Sequence, residues 1–299
     1  MKEEEFWERN LILRVLCGSR AYGLAGDDSD EDTRGICIPP REFLLGLRTF
    51  DQHESIGHDH VVYSLAKFVR LALQGNPNII ETLFADPEHV LFVNAPGGRL
   101  LEGRRIFLSR RVGERFSSYA AAQLKRIERH HRWLQSPPER QPSPADFGAE
   151  MVEGRYRFPH LDAEHHYQAA IKHWNHYLAW RRNRNAARAK LEELYGYDTK
   201  HAMHLCRLLV MGQEILATGE VLVKRPDAEW LKRIRQGAMS YEELVQWSSQ
   251  QEALLPRLMN ESPLPEEPDI EAAEELVIAL HWDFLKGDGS AEGLSEVPR

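Results

Sequence analysis

Residues 11–17, LILRVLC, are apolar at nearly every position and predict a buried strand. The run ends at Gly18-Ser19. RAYGLA at 20–25 predicts a short helix or turn, and GDDSDED after it is too polar and turn-rich for core. DTRGICI at 32–38 alternates as a second strand and stops at Pro39-Pro40. A third strand is expected over His60–Tyr63. Apolar positions 65, 68, 69, 71, 72 and 73 then recur at helical spacing, with Ser64 as N-cap and Gly75 as stop. Asn76-Pro77 opens another short helix, capped by Asn76, with proline in its first turn. HVLFV at 89–93 is the candidate fourth strand.

From about residue 99 the pattern becomes helical. Helices are expected over 105–135, 162–195, 199–218, 227–236, 240–255 and 270–286, with the proline-rich SPPERQPSPADFG after residue 135 as a loop. No internal repeat is present. The expectation is an α+β fold: a small mixed sheet over 1–98, a mostly helical part over 99–286, and a loose polar tail over 287–299.

Composition narrows the class. A chain 42% hydrophobic and 28% charged is an ordinary folded soluble protein. No run of 18 apolar residues is present, so no transmembrane helix is expected. MKEEEFWERN lacks the basic-then-apolar order of a secretory signal, which points to the cytoplasm. Cys17, Cys37 and Cys206 are odd in number and lack zinc-type spacing, so they read as small buried hydrophobes. A net charge of −8 argues against coating of duplex nucleic acid, yet leaves room for a local basic surface that grips an RNA end. The arginines and lysines of 104–132 and RRNRNAAR at 181–188 are either such a surface or plain solvated helix faces. Trp133 and Trp180 read as core.

Chemistry concentrates in residues 17–36, CGSRAYGLAGDDSDEDTRGI. Asp30 and Asp32, two apart at the entry to a strand, point to one face. Two ionised carboxylates so close repel unless a cation lies between them. Oxygen donors of this kind suit Mg²⁺, or Mn²⁺ in its place, which also takes phosphate oxygens. At the end of the preceding strand, Gly18 lets backbone N–H groups approach a phosphate, Ser19 adds a hydroxyl, and Arg20 adds charge. These parts suit two-metal chemistry on a nucleoside triphosphate.

Gly-Ser, about ten residues, then Asp-x-Asp resembles the signature of the DNA polymerase β-like nucleotidyltransferase superfamily. GSRAYGLAGDDSDEDTRG is similar to its RNA-ligase-associated (RlaP-like) branch, as are YSLAKFVRLAL with GNPNIIETLF, and GYDTKHAMHLCRLL followed by TGE. The resemblance spans about residues 10 to 260 and implies a polymerase-β-like palm. It implies transfer of NMP from an NTP to an acceptor hydroxyl, with pyrophosphate leaving and an RNA terminus as the acceptor. It also implies a third metal carboxylate on a neighbouring strand, for which Asp59 is preferred over Asp51 and Glu54 and which would serve as base for the attacking hydroxyl. Lys67, between Leu65 and Phe68 on the following helix, is either a solvated helix residue or, as the resemblance implies, a nucleotide contact.

Other residues keep two readings. Arg34 shares the Asp30/Asp32 face and contacts either a phosphate or a nearby acid. Tyr22 either stacks on a base or packs. Lys200, His204 and Arg207 share one side of a helix and face either a triphosphate or solvent. His201 and His204 lack a third zinc ligand nearby. AMP transfer to a protein side chain or small molecule is the rival activity, and a noncatalytic nucleotide-binding module the rival class. The intact Asp-x-Asp argues against the module.

Overall fold

The computed structural model describes residues 6–26, 29–55, 57, 59–184 and 186–287. The acidic turn residues Asp27 and Asp28 and the tail from 288 onward lie outside the described residues. The fold is α+β, with a five-stranded mixed sheet and a mostly helical C-terminal part. No helix among the described residues is long and apolar enough to cross a membrane.

After a short α1 (Phe6–Arg9), the expected strands appear as β1 (Leu11–Leu16), β2 (Thr33–Cys37), β4 (His60–Ser64) and β5 (Val90–Val93). β3 (Gln52–Glu54) joins them at an edge, giving the order β3-β4-β2-β1-β5. β1 runs antiparallel to β2 and β5, β3 runs antiparallel to β4, and β2 runs parallel to β4. On one face Leu11, Cys37 and Val62 pack with Trp7, Phe50 and Phe92. A Cβ at Gly35 would lie 2.9 Å from Leu11 Cδ1 and 3.1 Å from Val62 Cγ2, so glycine lets these side chains close over the strand. The other face carries Leu13, Val15 and Ile36, all fully buried.

Short helices connect and cover the strands: α2 (Gly18–Ala21), α3 (Arg41–Leu44), α4 (Leu65–Leu73), α5 (Pro77–Leu83) and α6 (Ala95–Glu102). Ser64 caps α4 by accepting from Lys67 N–H at 3.3 Å, and Asn76 caps α5 by accepting from Asn78 N–H at 3.1 Å. The remaining helices are α7 (Arg110–Gln135), α8 (Leu161–Arg182), α9 (Ala186–Tyr195), α10 (Thr199–Thr218), α11 (Ala228–Arg235), α12 (Tyr241–Glu252), α13 (Leu255–Glu261) and α14 (Ile270–Lys286). The expected helix over 162–195 is two helices, and a two-stranded hairpin, β6 (Glu150–Val152) with β7 (Arg155–Arg157), follows the proline-rich loop.

Contacts divide the chain into two compact units. The first holds residues 1–122, 204–233 and 246–299; the second holds 123–203 and 234–245. In the first unit α7 and α10 meet at glycine notches: a Cβ at Gly113 would lie 2.4 Å from Leu216 Cγ, and one at Gly212 2.9 Å from Phe116 Cβ. The three cysteines are free and buried. Burial pushes their thiols up, that of Cys37 to about 12.

The first unit also encloses charge. Glu81 of α5 and Arg207 of α10 are 3% and 4% exposed and form an ion pair. Tyr22, just after α2, donates its hydroxyl to Glu81 Oε2 at 2.5 Å, and the Arg207 guanidinium carbon lies 3.9 Å from the Tyr22 ring centroid. Burial works against the Arg207 charge, but Glu81 and Tyr22 outweigh it and its pKa rises. Burial first, and Glu81 beside it, push the Tyr22 phenol upward, which keeps it a hydrogen-bond donor. Removing one partner of a buried pair strands the other charge. E81Q keeps an acceptor for Tyr22 but leaves Arg207 without a counter-charge. It is expected to lose about 3–5 kcal/mol of stability in urea unfolding, and R207M added to E81Q is expected to recover part of that loss.

Candidate active site

The chain turns sharply where β1 ends. Cys17 is extended, and Gly18 enters the left-handed region at φ +65°. A side chain there would be strained, and it would also collide, because a Cβ on Gly18 would lie 2.2 Å from Asp32 Oδ2. The Asp32 carboxylate thus rests directly on the glycine backbone. Tyr22 N–H donates to Gly18 O at 3.1 Å and Leu24 N–H to Ser19 O at 2.8 Å, which closes the turn. Ser19 is half-buried at its rim.

The strand register places the acids. Thr33 pairs with His60 in the parallel β2–β4 ladder, and Thr33 N–H donates to Asp59 O at 2.7 Å. Asp32 and Asp59 each come one residue before this ladder, at its start. Aligned residues on adjacent strands project from one face, about 4.8 Å apart. That face continues through Arg34 and Val61. Cys17 N–H donates to Asp32 O at 2.8 Å, so β1, β2 and β4 all converge on this end of the sheet. Asp30 is exposed just before it. Arg20 clamps the loop that carries Asp30: Nη2 donates to Ser29 O at 2.8 Å and Nε to Asp30 O at 3.4 Å. Among the described residues, Asp30, Asp32 and Asp59 are not drawn within 4.8 Å of one another as a trio. Register and the Gly18 contact bring Asp32 and Asp59 to this end of the sheet, whereas Asp30 lies in the loop that leads into it.

The rivals of Asp59 sit elsewhere. Ser64 N–H donates to Asp51 O at 2.9 Å, so Asp51 adjoins the far end of β4, about 16 Å along the strand from Asp59 at ~3.3 Å per residue. Its carboxylate pairs with Arg70 at 3.3 Å and Lys67 at 3.9 Å. Lys67 is therefore not brought to the aspartates: it begins α4 at the opposite end of β4. Glu54 lies opposite Val61 on the edge strand β3, one strand further from Asp32.

Arg34 turns toward α5, donating from Nη2 to Asn78 Oδ1 at 3.2 Å and from Nη1 to Asn78 O at 3.5 Å. Tyr22 and Arg207, read above as possible nucleotide contacts, are instead buried against Glu81. Desolvation explains the difference: a guanidinium that deep needs a carboxylate on the protein, and Glu81 supplies it. His204 is half-buried in the first unit, whereas Lys200 belongs to the second. Sequence reasoning left Glu81 without a role. Its only signal is a carboxylate in the otherwise apolar run NIIETLF.

No solved structure matches the chain. A stretch is 30% identical over 96 residues to the "Uncharacterized 38.9 kDa protein in nrdC-mobD intergenic region" of Enterobacteria phage T4, covering 28% of this chain and 29% of that protein. Another match is 33% identical over 87 residues to "Uncharacterized protein YcgL" of Bacillus subtilis (strain 168), covering 28% of this chain and 34% of that one. The chain thus matches about a third of each relative's length. A far longer match, over residues 1–279, is to the model of RlaP, the RNA repair pathway DNA polymerase beta family, and the chain belongs to that family.

Proposed function

We propose that the protein is a metal-dependent nucleotidyltransferase that transfers NMP from an NTP to a hydroxyl at an RNA terminus. The observation that carries this reading is the Asp32 carboxylate seated on Gly18, with Asp59 one residue before the Thr33–His60 pairing that starts the β2–β4 ladder. A carboxylate flush against a glycine turn suits phosphate oxygens and their cations, and the membership in a polymerase-β family concerned with RNA repair gives it context. On this reading the sheet and its turn form a polymerase-β-like palm.

Asp30, Asp32 and Asp59 fit Mg²⁺ or Mn²⁺, since all three are oxygen donors and two adjacent carboxylates repel without a cation. Such cations, when bound, neutralise charge on the attacking and leaving oxygens. The chain's own groups do the rest. Gly18 and Ser19 bind the β and γ phosphates, with backbone approach allowed by the missing Cβ. Arg20 fixes the loop that presents Asp30. Asp59 accepts the proton of the acceptor hydroxyl as its oxygen bonds to the α-phosphorus. The bond from the α-phosphorus to the bridging oxygen breaks, and pyrophosphate leaves. The gain comes from positioning and charge neutralisation.

D30N and D32N are expected to cut pyrophosphate release by about 10²–10³-fold or more, with thermal melting close to that of the parent. The assay pairs Mg²⁺ and each labelled NTP with short RNAs of defined ends, resolved beside a protein gel. Full activity in D32N would sink the assignment, and label on protein instead of RNA would move AMP transfer to a side chain into first place. G18A is expected to lose activity and also about 1–2 kcal/mol of stability from the left-handed backbone alone. Wild-type turnover in G18A would show that the glycine contact is dispensable.

A further inference from the structure

The second unit holds a group of potential ligands that the proposed reaction does not use. One ligand atom from each of His130 (α7), Glu192 (α9) and Asp198 (just before α10) lies within 4.8 Å of the others. His201, on the first turn of α10, adds a fourth: its Nε2 is 3.5 Å from Asp198 Oδ2. A tetrahedral cation with 2.0–2.1 Å arms separates its ligand atoms by about 3.3–3.4 Å, so this spacing already matches. The other members need to close by about 1 Å or somewhat more.

The group is buried: His130 and His201 are 8% exposed, Glu192 2% and Asp198 3%. His130 Nδ1 has no hydrogen-bond partner despite that burial. An orphaned buried acceptor or donor is destabilising. Arg184 Nε donates to Glu192 Oε2 at 2.5 Å, and Arg188 stands 3.9 Å from Asp198. Asp198 Oδ1 accepts from His201 N–H at 3.0 Å, so Oδ2 is the oxygen that faces His201 Nε2; donors of this kind orient ligating carboxylates.

We infer that His130, Glu192, Asp198 and His201 form a binding site for a late first-row divalent cation such as Zn²⁺. Two imidazoles and two carboxylates in a closed, buried set favour such an ion over Mg²⁺, which keeps its water and prefers oxygen. The ion would tie α7, α9 and the start of α10 together. The site is separate from the aspartates of the first unit, so the inference stands whether or not nucleotidyl transfer does.

The test uses the full chain carrying D30N and D32N, which silences the proposed catalytic cations. After stripping with a chelator and dialysis, Co²⁺ and Zn²⁺ are titrated in turn. Co²⁺ is followed by its visible absorption and Zn²⁺ by bound-metal content and melting temperature. About one equivalent is expected, with the intense absorption of tetrahedral Co²⁺ and a melting rise of about 5 °C or more at saturating Zn²⁺. H130N and E192Q are expected to weaken Zn²⁺ binding by more than about 100-fold, beyond what outer-shell changes produce. Each variant's circular dichroism without metal reports whether it still folds, and R184Q, which touches only the outer shell, is expected to weaken binding by about 10–100-fold. No stoichiometric binding, or binding unchanged in folded H130N and E192Q, would overturn the site.

Discussion

The parallel pairing of β2 with β4 is the constraint on which the candidate active site depends. Side chains alternate along a strand, so a slip of one residue would turn Asp59 to the opposite face from Asp32. Two features resist that slip. Thr33 and His60 hold the register through Thr33 Oγ1···His60 Nδ1 at 2.9 Å on the opposite face. Buried Ile36 and Val62, on opposite faces of their strands, would each exchange core for the other side. Register, core packing and the location of the acids are therefore one choice.

Buried charge supplies the second brace. α5 contributes Asn78 to Arg34 on β2 and Glu81 to Tyr22 beside the Gly18-Ser19 turn. One short helix thus ties down both the glycine turn and the strand that follows Asp32. Arg207 completes the arrangement by balancing Glu81. A hydrophobic trio of similar volume would often be as stable or more so. What the charged version adds is direction, because a hydrogen-bonded phenol and a carboxylate fix the turn to one orientation where apolar contacts would let it slide.

Much of this was legible in sequence because it is local. The apolar run of β1, the alternation of β2, and the caps Ser64 and Asn76 depend on neighbours a few residues away, and so does the turn at Gly18. What escaped depends on distance or on weak pattern. β3 is three polar residues, QHE, recruited by the edge of β4. The β6–β7 hairpin is wholly exposed and is set by a turn at Glu153 and Gly154 with φ of 51° and 77°. The helix expected over 162–195 breaks after Arg182, where Asn183 ends α8, although the residues on both sides keep helical composition. Lys200, His204 and Arg207 make the same polar stripe whether it faces solvent or a glutamate 126 positions away. No local pattern separates those cases.

The same distinction reshapes the basic stretch over 104–132. Its first arginines are engaged with the protein itself. Arg105 pairs with Glu220 and Arg111 with Glu267, Arg110 donates to Leu264 O, Arg115 donates to Gln74 O, and Arg104 stacks over Phe84. These contacts fasten the start of α7 and the turn before it within the first unit. Further along, Arg129 lies over the Trp133 ring, while Lys125 and Arg126 are exposed. A run of like charges is thus a mixture of internal fasteners and outward cations. On a chain of net charge −8, long-range attraction of an RNA acceptor would have to come from the outward cations. Salt screens such exposed charges strongly and buried pairs little. Raising ionic strength should therefore weaken any RNA capture that depends on Lys125 and Arg126 while leaving the Glu81–Arg207 brace, and the turn it holds, unaffected.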